Sequence, residues 1–150
     1  MTSPNTHYRS KTLATWLALL GGTLGLHRFY LHGFGDKLGW LHAPVSGLGL
    51  VGVLRMLELG QDDRLAWWLV PVLGLMISQA MFCGILYGLT PDEKWAQRHN
   101  PDHPEPVATA WGPVLGAIAG LLVGGGVLMG TITFSIQKAF EVQLAAEAKR

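Results

Sequence analysis

Charged side chains are scarce in this 150-residue chain, where Asp, Glu, Lys and Arg together make up 14%, against about 25% in soluble domains. They are absent from residues 12–27, 38–54, 65–91 and 106–137. A soluble fold of this length needs a polar face on nearly every element, and these windows supply none. The pattern excludes an ordinary soluble domain and predicts helices that cross a bilayer, each needing about 20 apolar residues.

Cysteine is also scarce: Cys83 stands alone, which excludes an intrachain disulfide and leaves the redox compartment open. No run of Lys or Arg is present and the net charge is +1, so nucleic acid is not expected as a partner. No A-x-A-like cleavage site follows the first apolar stretch behind Arg9 and Lys11. We therefore expect an uncleaved first helix rather than a signal peptide.

The predicted fold is an all-α integral membrane protein with four transmembrane helices. A polar tail (residues 1–11) precedes a helical hairpin (12–57), a charged linker (58–64), a third span (65–89), a polar Pro-rich loop (90–109), a fourth span (110–137) and a helical polar tail (138–150). Pro91, Asp92 and Glu93 predict the start of a short interfacial helix within the loop.

The two halves of the hairpin are the weakest spans. Residues 12–26 rise only about 22 Å as a helix, so Phe29, Tyr30 and Leu31 are expected to supply the missing depth. The second segment, residues 38–57, contains His42, Pro44 and four glycines. It is predicted to cross the membrane with a kink or a late start at Pro44, and a re-entrant hairpin is the alternative.

Four spans place both termini on one side of the membrane. Seven Lys and Arg residues would lie on that side and four on the other. Because positive residues accumulate on the cytoplasmic side, both termini are predicted to be cytoplasmic.

The N-terminal third resembles a known family. Ser10-Lys11-Thr12-Leu13-Ala14 is followed by a Gly-rich helix end and by His27-Arg28-Phe29-Tyr30-Leu31. This sequence is similar to the two-transmembrane (TM-two) domain family over residues 10–57, and its His form is typical of bacterial members. His32 intervenes before Gly33, where the family has Gly at once. The resemblance implies a hairpin in the bacterial inner membrane, without catalytic residues to carry over.

Arg28 follows directly on an apolar helix, and the surrounding residues suggest an interfacial anchor: His27, Arg28, Phe29, Tyr30 and Asp36. Its guanidinium can reach lipid phosphates while its stem stays in the apolar zone, or it can pair with Asp36 across the turn. Recognition of a partner's carboxylate or of a lipid head group is the alternative role.

Three histidines, His27, His32 and His42, lie close enough in sequence to suggest a metal or haem pair across the hairpin. No cysteine accompanies them and their spacing matches no known site, so no cofactor is predicted. His99 and His103 are four residues apart, but Pro101 breaks the helix that would align them.

Glycines recur at every fourth position in the fourth span and predict a helix-packing face: Gly112, Gly116, Gly120 and Gly124, with the spacing repeated at Gly126 and Gly130. Residues four apart share one face of a helix, where a neighbouring backbone can approach closely. Packing within the bundle and self-association both remain open.

The expected function is that of a non-enzymatic inner-membrane protein that associates with itself or with another membrane protein, in contact with membrane lipids. A small transporter or channel subunit is the alternative, although no ionisable residue is visible inside a span away from its ends. A membrane-embedded haem- or metal-binding protein ranks third. No catalytic set and no small-molecule substrate is indicated.

Overall fold

The computed structural model describes residues 8–103, 105 and 107–148, and within them every regular element is helical. Six α-helices follow one another: α1 (Lys11–Gly21), α2 (Leu26–His32), α3 (Lys37–Leu59), α4 (Arg64–Leu89), α5 (Asp92–His99) and α6 (Gly112–Glu147). A single 3₁₀ turn over Gly22–Leu24 joins α1 to α2.

Three of these helices, α3, α4 and α6, are long and apolar enough to cross a membrane. Many of their large apolar side chains point outwards; Leu57 and Trp68, for example, are 78% and 79% exposed. A soluble protein rarely exposes so much apolar surface, whereas lipid solvates it. The chain therefore has the architecture of a helical membrane protein, with three helices of spanning length.

The predicted continuous first helix is wrong, because α1 and α2 fold back on each other. Gly25 adopts a left-handed conformation (φ 78°) and ends the 3₁₀ turn, so the chain reverses direction. At the other end of α2, the Ser10 backbone N–H donates to the Tyr30 hydroxyl at 2.7 Å, and Leu31 packs in a core cluster with Ala14. Tyr30 thus lies beside the start of α1, not one membrane depth below it.

From here on, the hairpin means α1, the 3₁₀ turn and α2, not the predicted hairpin of residues 12–57. Its tip reaches about half the depth of the long helices. The 11 residues of α1 rise about 16 Å, against about 30 Å of hydrocarbon. At the tip, Gly22 lies against Ala80 near the middle of α4, and the Ser46 hydroxyl donates to the Thr23 carbonyl at 2.7 Å. Residues 12–57 therefore do not form two spanning helices, since only α3 among them is long enough.

The second predicted segment is a continuous helix, which contradicts the re-entrant alternative for residues 38–57. α3 runs through Pro44 for 23 residues, with Asp36 capping its N-terminus by accepting from the Leu38 N–H. Pro44 lies on an exposed side of α3.

The helix α4 is central, with α3 on one side and α6 on the other. α5 lies next to the C-terminal end of α4, and the start of α1 is held there as well; we call this the α5 end of the molecule. α6 begins at the α5 end and continues without a break to Glu147, so residues 138–147 lie in the same helix as the fourth predicted segment. Lys138 lies over the Trp67 ring at 4.7 Å, near the start of α4 at the opposite end.

The turns that precede α3 and α4 repeat one arrangement. In each, an arginine Nε donates to an aspartate carboxylate, at 2.6 Å and 2.7 Å, and a tryptophan Nε1 donates to a loop carbonyl, at 2.8 Å and 2.6 Å. The equivalent residues are 27 positions apart: Arg28 and Arg55, Gly33 and Gly60, Asp36 and Asp63, Trp40 and Trp67, Pro44 and Pro71. Because α3 and α4 are antiparallel, the two copies have inverted orientations.

Below the tip of the hairpin, α3, α4 and α6 leave an apolar groove of about 320 Å³. Its walls include Val53 and Met56 of α3, Pro71 and Ile77 of α4, and Gly130 of α6. On the α5 side of the groove the hairpin lies against α4, with its 3₁₀ turn in contact with α3 and α1 in contact with α6. Among the described residues, no helix covers the groove itself in the way that the hairpin covers α4 nearer the α5 end.

Candidate functional site

The carboxylate of Asp92 joins three parts of the chain at the α5 end. It pairs with the Lys11 ammonium, and it accepts hydrogen bonds from the Thr109 N–H at 3.0 Å and the Thr109 hydroxyl at 2.7 Å. Lys11 is only 6% exposed and also donates to the Thr90 carbonyl at 3.0 Å. Burial alone would raise the pKa of Asp92, but the hydrogen bonds from Lys11 and Thr109 lower it to about 2.

The short helix α5, predicted from Pro91-Asp92-Glu93, is confirmed and packs against the hairpin. The Trp95 indole N–H donates to the Arg9 carbonyl at 2.8 Å, and the Asn100 carboxamide oxygen accepts from the Arg9 N–H at 2.7 Å. Trp95 is 2% exposed and belongs to the same core as Ala14 and Leu31. These contacts hold both ends of the hairpin at one end of the molecule.

His99 ends α5, and its ring is tilted against the Trp95 ring with the two ring centres 4.3 Å apart. Burial, and then the positive charge of Arg98, lower the pKa of His99 to about 4. The folded state therefore binds fewer protons than the unfolded state between about pH 4 and the ordinary histidine value of 6.5. The stability that neutral His99 contributes is complete above pH 6.5 and is lost as the pH falls towards 4.

We expect His99→Phe to flatten part of this pH dependence, since phenylalanine keeps the ring contact with Trp95 and does not titrate. The wild-type protein should lose about 1 kcal/mol more stability than the variant between pH 7 and pH 5, after allowing for the solvent-exposed part of the ring. Unfolding in detergent at both pH values measures the difference, and the other five histidines are common to both proteins. Parallel pH curves would show that folding leaves the pKa of His99 unchanged, which would contradict the lowered value.

Arg28 and Asp36 form the predicted ion pair, with Nε and Oδ2 2.6 Å apart. Asp36 also caps α3, so a single carboxylate connects the end of the hairpin to the first long helix. The hydrogen bond from Arg28 lowers the pKa of Asp36, which keeps the pair charged at neutral pH. This geometry favours the clamp among the roles considered for Arg28.

The aromatic residues of the predicted anchor divide between two surroundings. Phe29 stacks on Phe34 and meets Trp40 edge-on, with ring centres 5.4 Å and 5.1 Å away, and its ring covers Gly39. Phe34 and Trp40 are largely exposed, as expected for an aromatic cluster at a membrane interface. Tyr30 instead turns inwards and accepts a hydrogen bond from Ser10.

The structure brings together two of the three hairpin histidines. The rings of His27 and His42 meet edge-on with their centres 5.6 Å apart, and the Tyr87 ring centre is 6.0 Å from that of His27. His32 is exposed at the end of α2. Among the described residues no three His, Cys, Asp or Glu side chains converge.

The glycines of α6 separate into two groups. A Cβ on Gly116, Gly120 or Gly124 would come within 2.6–3.0 Å of α1 or α4, and a Cβ on Gly112 within 2.9 Å of Thr12. These four glycines therefore pack within the bundle. Gly126 and Gly130 would place a Cβ in open space, so they do not pack against another helix of the described chain.

Sequence reasoning missed three residues that organise the α5 end: Lys11, Asp92 and Thr109. Asp92 was recognised only as part of a helix start. The available signal was Lys11 itself, a lysine at the first helical position that becomes buried and needs a carboxylate partner. The sequence alone does not show that this carboxylate lies 81 positions away.

Comparison of the chain with protein-family models, with curated proteins and with solved structures finds no match.

Proposed function

We propose that the chain is a non-enzymatic protein of the bacterial inner membrane that acts by helix association with a second copy of itself or with another membrane protein. The observation that carries this proposal is the uncovered groove between α3 and α6, with Gly130 at its α6 edge. Gly126 lies one turn before Gly130, and neither glycine faces another helix of the described chain.

Lipid provides little driving force for helix association, so association depends on close packing. Glycines four residues apart allow a second backbone to approach closely, as Gly116, Gly120 and Gly124 do within this bundle. The exposed pair has the same spacing and borders an apolar groove, which supports its use by a partner helix.

The topology we propose has three crossings, formed by α3, α4 and α6, with the hairpin entering and leaving at the α5 end. The two termini would then lie on opposite sides, which replaces the expectation that both are cytoplasmic. Among the described residues the α5 end carries six Lys and Arg and the opposite end three, namely Arg55, Arg64 and Lys138. Lys149 and Arg150, which the sequence-based count includes, lie outside the described residues. The bias favours a cytoplasmic N-terminus.

The test is association of the purified protein in lipid nanodiscs or bicelles, measured by crosslinking and by energy transfer between labelled copies. The double variant Gly126→Leu/Gly130→Leu should remain folded and lose association. Wild-type monomers that capture a specific membrane protein, lost in the same variant, would assign the face to a different partner. Unchanged association in the double variant would contradict the proposal.

A second candidate is a small transporter or channel subunit, and the half-depth hairpin favours it. Short helices that end inside the membrane form the ion and substrate sites of many transporters. Ion flux through proteoliposomes, above that of empty liposomes and reduced by Gly25→Ala, would support this candidate. Flux equal to that of empty liposomes would leave the association role alone.

A further inference from the structure

His27 is fully buried, and neither nitrogen of its ring has a hydrogen-bond partner. The Nε2 atom of His42 is also buried without a partner. A buried polar atom without a partner costs about 1–3 kcal/mol, so three such atoms in one place need an explanation.

The other ring nitrogen of His42, Nδ1, has a hydrogen-bond partner. Its Nδ1 lies 2.6 Å from the Leu38 carbonyl one turn earlier in α3. A carbonyl accepts, so Nδ1 carries the proton and Nε2 presents a lone pair. Metal-binding histidines commonly show this arrangement, in which a backbone carbonyl fixes the tautomer and leaves the other nitrogen free to bind.

The distance between the two rings suits one shared ion. A metal about 2.0–2.1 Å from a ring nitrogen lies about 3.2 Å from that ring's centre, so two rings on one ion have centres up to about 6.4 Å apart. The observed 5.6 Å corresponds to a nitrogen–metal–nitrogen angle of roughly 120°.

The repeated turns show that helix packing does not require histidine at these positions. Counting 27 residues on from His27 and His42, the second copy of the arrangement has Leu54 and Leu69. The same Arg–Asp pair and Trp contact form there without any imidazole. The two histidines therefore lie in the first of the two repeated turns, the one that α1 covers. Burying a polar ring without a partner is most costly there.

We propose that His27 and His42 bind one transition-metal cation of the class that prefers imidazole, such as Zn²⁺ or Cu²⁺. This goes beyond the association role. The protein supplies two nitrogen ligands from α2 and α3, and the ring centre of Tyr87 in α4 lies 6.0 Å from that of His27. With two protein ligands, such a site should bind its ion more weakly than a closed four-ligand site.

The test uses untagged protein in detergent, with the other four histidines replaced by glutamine to remove surface binding. Zn²⁺ titration calorimetry should give one ion per chain. In the same background, His27→Leu/His42→Leu introduces the residues found in the second copy of the turn. This variant should keep its metal-free stability and bind Zn²⁺ more than about 100-fold more weakly.

Cu²⁺ electron paramagnetic resonance provides a second readout that does not depend on how well the leucine variant folds. Coupling to two imidazole nitrogens is expected in the glutamine background, and to one in His42→Gln. Absence of binding in the glutamine background, or equal binding by the leucine variant, would overturn the proposal. Binding lost only on replacing the other four histidines would place the ion elsewhere and would overturn it as well.

Discussion

Gly124→Leu should destabilise the folded protein, whereas Gly126→Leu, two residues further along α6, should not. A Cβ at Gly124 would lie 2.6 Å from the Met81 Cβ, so a larger side chain forces α6 away from α4. Overpacking of this kind costs about 1–3 kcal/mol, of which a gain of about 1 kcal/mol in helix propensity offsets part. We expect a net loss of about 1–2 kcal/mol for Gly124→Leu.

Gly126→Leu receives the same propensity gain and meets no atom within 4 Å. It should therefore unfold at the wild-type denaturant concentration or slightly above it, while association weakens if the outer face binds a partner. Unfolding in bicelles followed by circular dichroism measures both variants. Equal destabilisation of the two would mean that α6 is rotated relative to α4, and the assignment of faces would be wrong.

Gly25→Ala should lower the free energy of unfolding more than Gly124→Leu does, because it disrupts the hairpin. Gly25 has a φ of 78°, and a Cβ there would collide with the Gly39 carbonyl oxygen, a backbone atom that cannot move aside easily. The left-handed conformation costs about 1–2 kcal/mol for alanine, and the collision adds about 1–3 kcal/mol. Together they predict a loss of about 3 kcal/mol and separation of α2 from α3.

The matched control is Gly35→Ala, in the loop between α2 and α3, where φ is not positive and a Cβ meets nothing within 4 Å. Its unfolding free energy should lie within about 0.5 kcal/mol of wild type, as for most surface substitutions. If Gly25→Ala is as harmless as this control, the chain does not reverse at Gly25.

The apolar windows predicted the long helices well because periodicity and length determine such elements. Residues 65–89 correspond closely to α4, and the predicted break before residue 110 precedes α6 at Gly112. Asp36 and Asp63 precede their helices as N-caps, a local signal that needs no tertiary information.

The first segment could not be predicted because its composition fits two structures. Residues 12–31 are apolar enough for one span, and the decision to reverse depends on the small side of α4, where Ala80 and Gly84 admit Gly22 and Leu19. The Gly21-Gly22 and Gly25 pattern fits a helix end as well as it fits a reversal of the chain. The 27-residue repeat was present in the sequence but became recognisable only when the two turns showed the same hydrogen bonds.

The histidine pair shows a similar limit. Sequence proximity brought His27, His32 and His42 together as candidates, and helical geometry then separated them, with His32 exposed and the other two in contact. The glycine repeat likewise mixed two faces, since Gly124 and Gly126 are adjacent in the pattern but point about 200° apart around a helix.

The hairpin that enters and leaves at the α5 end is the central feature of this account, and cysteine accessibility tests it directly. In a Cys83→Ala background, single cysteines replace Tyr8, Gly35 and Asp62, and a membrane-impermeant maleimide is applied to either side of the membrane. Tyr8→Cys and Gly35→Cys should react from the same side and Asp62→Cys from the other. If Tyr8→Cys and Asp62→Cys are instead labelled from one side of the membrane and Gly35→Cys from the other, the first segment crosses the membrane and the account is wrong.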